Sequence, residues 1–167
     1  GFVSPSDLRE ALREDTLLVS LMHVNNETGV AQPLEEYCEA LEGHESYFHV
    51  DAAQGFGKVA GLEHPRLDLI SVSGHKIYAP KGVGALIARK RKWSRVPLAR
   101  RMFGGGQEHG VRPGTVAVPL VAGLGEAAKQ AKKYGTERTE KCLGIRSMIL
   151  DELTRLTPRF NGDQELV

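Results

Sequence analysis

Lys76 stands in the stretch SVSGHKIYAPKG, directly after a small-Gly-His turn and with no carboxylate beside it in sequence. An amine held partly out of water loses basicity, attacks carbonyl carbons and forms a Schiff base. Two further stretches carry groups that would serve such an amine: HVDAAQG holds Asp51 and Gln54, and HVNNETG holds Asn25 and Asn26. Pyridoxal phosphate is the cofactor that exploits a lysine in this way. It needs an acid to keep its ring nitrogen protonated, a donor near its phenolic oxygen, and hydroxyl or amide groups for its phosphate. Asp51 suits the first role, Gln54 the second, and Ser73 with His75 the third.

These residues serve one site only if the fold gathers them. SPSDLREALR predicts a helix start, with Ser4 as N-cap, Pro5 in the first helical position and Asp7 where a negative charge suits the helix dipole. The apolar run at 16–22 predicts a strand buried on both faces. PLEEYCEALEG predicts a short helix from Pro33 to Gly43, with Leu34, Tyr37, Cys38 and Leu41 on one face. Further strands are predicted in SYFHVDAAQ, LDLISVS and GVGALIARK, so a parallel sheet covered on both sides is the expected architecture. Ligands of such sheets bind outside the carboxyl ends of the strands. The amide pair, the acid, and the hydroxyl, imidazole and amine of SGHK each follow one of these strands, and would meet in one crevice.

Past Arg89 the pattern breaks. RKRKWSR and LARR are basic and irregular, and FGGGQEHGVRPGT is too rich in glycine for helix or strand. The helical period returns at 119–133 and again at 139–156, where Cys142, Ile145, Ile149, Leu153 and Leu156 form one apolar stripe.

Composition narrows the classes of function. The chain has 167 residues, 41% hydrophobic and 26% charged, enough for a real core. A net charge of +1 offers no general attraction to nucleic acid or an anionic membrane. The run from Arg89 to Lys92 beside Trp93 reads as a solvated loop rather than a nucleic-acid contact. Two cysteines make neither a disulfide framework nor a zinc cluster, and with no membrane-length apolar run or signal peptide they point to the cytoplasm. Cys38 and Cys142 each fall on an apolar helical stripe and are expected to be buried and unreactive. His23, His44, His64 and His109 show no metal-ligand spacing, and His49 reads as a support for the loop that carries Asp51. The chain starts at Gly1 without methionine and stops at NGDQELV, so it is expected to be a piece of something longer.

MHVNNETG, FHVDAAQGFGK, LISVSGHKIYAPKGVGAL and MFGGGQEHGVRPGT, in this order over residues 18–125, resemble the cysteine desulfurase and selenocysteine lyase family of class V, fold-type I pyridoxal-phosphate enzymes. The resemblance implies an α/β, transferase-like fold with a mostly parallel sheet. Residues 1–135 would form the central part of the cofactor-binding large domain, and 136–167 the start of a small C-terminal domain. By the resemblance Lys76 is the catalytic lysine, Asp51 pairs with the ring nitrogen and Gln54 bonds the phenolic oxygen. Asn26 would touch cofactor and substrate, while Ser73, Gly74 and His75 would line the phosphate cup. Thr115 would reach the phosphate of a neighbouring subunit's site, making the glycine-rich loop a homodimer element.

The activity so implied is removal of sulfur from L-cysteine, giving alanine and a persulfide on a cysteine outside this chain, with onward transfer to a sulfur-acceptor protein. A selenocysteine lyase, or another class V lyase or transaminase, would share Lys76, Asp51 and Gln54. A catalytically silent fragment that dimerises or binds a partner is the alternative from another class.

Overall fold

A computed structural model describes residues 1–91 and 93–166; Lys92 of the basic run lies outside the described residues. Helix α1 (Pro5–Ala11) starts as the sequence predicts, with Ser4 Oγ accepting the Asp7 N–H at 3.0 Å. Such a cap is worth about 1 kcal/mol. Strand β1 (Leu18–Met22), helix α2 (Leu34–Ala40) and strands β2 (Tyr47–Asp51), β3 (Leu69–Ser73) and β4 (Gly84–Ala88) follow, and the sheet order is β1-β2-β3-β4. A small β5–β6 ribbon (Lys90–Arg91, Ser94–Arg95) and a 36-residue helix α3 (Val118–Leu153) come after it.

The core lies on one side of the sheet. Val19, Phe48, Val50, Ile70 and Val72 pack there against Leu8 of α1 and Leu34, Tyr37, Cys38 and Leu41 at α2, the face expected from the helical spacing. Because side chains alternate along a strand, the opposite face carries Ser20, His49, Asp51, Ser71 and Ser73. Burial forces polar groups off the first face and leaves the second for chemistry.

A charged node pins the ends of the strands away from the site. Asp68, 4% exposed, accepts Arg66 Nη1 at 2.9 Å, Arg91 Nη2 at 2.6 Å and the Phe48 N–H at 2.7 Å. The two guanidinium groups also bond the carbonyls of Leu41, His44, Glu45 and Ser46. Nearly every donor is satisfied, which a buried ion cluster requires if it is not to cost stability.

Four expectations are corrected. β1 is not buried on both faces: Val19 enters the core, while Leu18 and Met22 point to the other face of this outer strand and are 50% and 40% exposed. A short apolar run cannot by itself distinguish one covered face from two. β4 runs antiparallel to β3, so the sheet is mostly rather than wholly parallel. The link 74–83 is shorter than the dozen or so residues that a parallel crossover needs.

The two helical stretches are one continuous helix through Gly135, since a single glycine costs only about 1 kcal/mol in a long helix. Cys142, Ile145, Ile149 and Leu153 of its far half, and Leu156 in the turn after it, are exposed, where burial was expected for Cys142.

Candidate functional site

The site is built where β1, β2 and β3 end. Met22 pairs with Asp51, and Asp51 with Ser71, so β1 and β2 end level with each other and β3 runs two residues further to Ser73. Main-chain bonds tie the loops that follow. The His23 N–H donates to the Asp51 carbonyl at 2.9 Å, and the Ala52 N–H to the Ser71 carbonyl at 3.0 Å.

The loop after β1 separates its two asparagines. Asn25 Oδ1 accepts the N–H groups of Glu27 and Thr28, both at 2.9 Å, which makes it a turn former. Asn26 is exposed, and its amide donates to Glu27 Oε1 at 2.7 Å. His23, fully buried, fills the space below the next loop; a Cβ on Gly55 would collide with its ring, so only glycine lets the loop lie this close to the imidazole. Burial holds His23 below the usual histidine range, against opposing effects of the Ala60 carbonyl and Glu63. Its Nδ1 has no partner among the described residues.

Asp51 is half-buried at the end of β2. Its Oδ1 accepts the Ala53 N–H at 2.9 Å, and its Oδ2 accepts no hydrogen bond among the described residues. Two residues earlier on the same face, His49 bridges strands: Nδ1 lies 2.8 Å from Ser20 Oγ on β1, and Nε2 lies 2.5 Å from Ser71 Oγ on β3. Burial lowers the pKa of this imidazole, and the Asp51 charge partly offsets that. The sequence left His49 as a loop support. The alternation H-x-D, which sets His49 and Asp51 on one face, was the signal that could have shown more.

After β3 the chain enters a 3-10 turn, Gly74–Ile77, that carries His75 and Lys76. Gly74 has no room for a side chain: a Cβ would stand 2.7 Å from the Val83 carbonyl oxygen. Ser73 Oγ and His75 Nδ1 are 3.1 Å apart. Tyr78 closes the turn in the left-handed region at φ 69°, a conformation that costs a tyrosine about 1 kcal/mol or more and that clusters at functional loops. Lys76 is half-buried, and its amine makes no ion pair among the described residues. Lys58, in the GFGK of the β2 loop, is lowered first by burial and then by the charge of Lys76. A second amine therefore sits near the first, one that the sequence quoted without assigning.

Thr115 stands elsewhere. It is exposed and lines a recess of about 400 Å³ with Gly82, Gly84, Arg112 and Leu120, which includes none of Asp51, Gln54 and Lys76. Another cavity of about 370 Å³, lined by Lys58, Ile77, Tyr78, Arg138 and Cys142, also holds none of the cofactor candidates. Asp51, Ser73 and Lys76 lie at or just after the ends of β2 and β3.

The family profile described as Aminotransferase class-V matches residues 1–157. The chain belongs to that family. It is 45% identical to the cysteine desulfurase IscS of Ehrlichia chaffeensis, an alignment covering 99% of this chain and 41% of that protein. With the mitochondrial cysteine desulfurase of Candida albicans it shares 50% identity over 97% of this chain and 33% of that one. The crystal structure of DndA from Streptomyces lividans superposes with a TM-score of 0.94 at 51% identity, covering 99% of this chain and 47% of that chain. The class V member thus spans 41% of the length of the Ehrlichia protein and 47% of DndA, with which it shares its mixed α/β fold.

The residues present suit pyridoxal phosphate. Among the described residues, Asp51 Oδ2, the Gln54 amide, His75 Nε2 and the Lys76 amine all lack a partner, and they supply one acceptor of charge, donors and one nucleophile at a single strand edge. An enclosed structural cluster would satisfy these groups internally, as the Asp68 node does.

Proposed function

We propose that the chain is the central part of a pyridoxal-phosphate-dependent cysteine desulfurase. The observation that carries this reading is that half-buried Lys76, its amine unpaired among the described residues, follows the end of β3 beside the β2 strand that ends in Asp51, whose carboxylate has one oxygen free. The likeness to named cysteine desulfurases supports the substrate, L-cysteine.

When bound, pyridoxal phosphate supplies a sink for the electrons left at the substrate α-carbon. Asp51 holds the proton on the ring nitrogen, because an anion beside a base favours its charged form. The Gln54 amide orients the ring through its phenolic oxygen, and Asn26 meets the ring and the substrate. Ser73, the Gly74 main chain and His75 take the phosphate. Lys76 would hold the cofactor through its amine and would serve as the group that moves protons at the substrate carbon. A cysteine thiolate outside this chain would attack the substrate sulfur; the Cβ–S electron pair would stay on carbon and be protonated to give alanine, leaving a persulfide for an acceptor protein. The whole protein is a cytoplasmic homodimer in this reading, Thr115 serves the partner's phosphate, and residues 136–167 open the small domain.

Incubating the whole protein with pyridoxal phosphate and reducing with borohydride tests the assignment. The expected result is a cofactor adduct on the peptide containing Lys76, absent in Lys76→Ala. Trapping on another lysine, or none, would overturn it, and release of selenide but not sulfide would move the reading to a selenocysteine lyase.

A further inference from the structure

His49 is a half-buried polar group of the site that the proposed chemistry leaves unused. Its position is unusual. Ser20 is its direct register partner on β1, but on β3 its partner is Leu69, and the ring instead reaches diagonally to the Ser71 hydroxyl. Ser71 is in turn the register partner of Asp51. Neighbouring strands lie about 4.8 Å apart, so partners on one face are close enough for a serine hydroxyl to bond a carboxylate. Ser71 makes no such bond; its hydroxyl is engaged by His49, and Asp51 Oδ2 stays open.

We propose that His49 is a positioning residue that holds the Ser71 hydroxyl away from Asp51, reserving the carboxylate for the ring nitrogen of the cofactor. This role requires the neutral tautomer in which Nδ1–H donates to Ser20 Oγ and Nε2 accepts the Ser71 O–H, which satisfies both ring nitrogens and uses up the serine proton. From β1 and β3 it meets only these two hydroxyls, and the one charged group acting on it among the described residues is Asp51 on its own strand. Losing His49 would free Ser71 to donate to Asp51. That bond would compete with the ring nitrogen for the same oxygen.

This inference rests on the cofactor reading above, and the test separates the two. Equilibrium binding of pyridoxal phosphate to the whole protein is measured for wild type, His49→Asn, His49→Gln, Ser71→Ala and the His49→Asn/Ser71→Ala double variant, with circular dichroism as the check on folding. Asparagine places a polar atom where Nδ1 was, within reach of Ser20 but short of Ser71; glutamine reaches Ser71. His49→Asn is expected to bind roughly tenfold more weakly, about the worth of one hydrogen bond. His49→Gln and Ser71→Ala should stay within about threefold of wild type, and the double variant should recover toward Ser71→Ala. Wild-type affinity in His49→Asn would overturn the inference, and so would a double variant as weak as His49→Asn. If His49→Asn does not fold, the decision falls to His49→Gln/Ser71→Ala, expected to match Ser71→Ala and contradicting the inference if tenfold weaker. No binding by wild type would sink the cofactor reading and this inference together.

Discussion

The imidazole of His23 lies directly beneath the Cα of Gly55, so closely that no other residue type fits there without moving the ring. His23 also ties the loop after β1 to β2 through the Asp51 carbonyl. One buried side chain therefore sets the height of the loop that carries Gln54.

Gly55→Ala is expected to destabilise the protein by about 1–3 kcal/mol, the usual cost of overpacking a filled core. Urea unfolding measures it. A variant with the wild-type midpoint would mean that the ring has somewhere to go.

Asp68→Ala removes the acceptor shared by Arg66 and Arg91 and leaves the Phe48 N–H unpaired. Because both guanidinium groups keep some access to water, a loss of about 3 kcal/mol is expected, at the low end for a broken buried pair. The node lies at the opposite strand ends from Lys76. Thermal unfolding should shift strongly while borohydride trapping of the cofactor persists at a temperature where the variant is folded.

Asp51→Asn keeps the shape of the β2 terminus, since an amide oxygen can still accept the Ala53 N–H. Turnover of L-cysteine by the whole protein is expected to fall at least about a hundredfold, as when a proton-handling group is removed. Trapping on Lys76 should survive. A variant with near-wild-type turnover would remove Asp51 from the ring nitrogen.

Burial pushes the Cys38 thiol up from 9.0 to about 11 and the Tyr37 hydroxyl from 10.0 to about 12. Both groups are held in the neutral form, so their contribution to stability is complete below the unfolded values and fades as pH rises through the raised ones. Unfolding free energy is expected to decline between about pH 9 and pH 12, and Cys38→Ala should flatten the first part of that decline. Alkylation at pH 8 followed by peptide mapping should label exposed Cys142 and spare Cys38 until denaturant is added.

Much of this was legible in the sequence, for identifiable reasons. Ser4, Pro5 and Asp7 announce a helix start through local hydrogen bonds that need no tertiary contact, and the spacing of Leu34, Tyr37, Cys38 and Leu41 names the buried face. The strands carrying Asp51 and Ser73 were likewise found from their apolar runs. What failed depended on distant neighbours. The stripe from Cys142 to Leu156 has the right period, but period cannot say whether anything packs against it. The direction of β4 followed from the length of a link rather than from its own residues. The cross-strand row Ser20, His49 and Ser71 needs three registers at once, which a single chain of letters does not display.

Because β4 doubles back beside β3, the segment bearing Lys76 is fastened at both feet: Ser73 pairs with Gly84, and the Gly74 N–H donates to the Val83 carbonyl at 3.0 Å. Such a short staple leaves its backbone little freedom to travel. Any excursion of the amine between resting and working positions must then come from rotation about its own four methylenes, and a lysine shortened by one carbon would find no compensating give in the main chain beneath it.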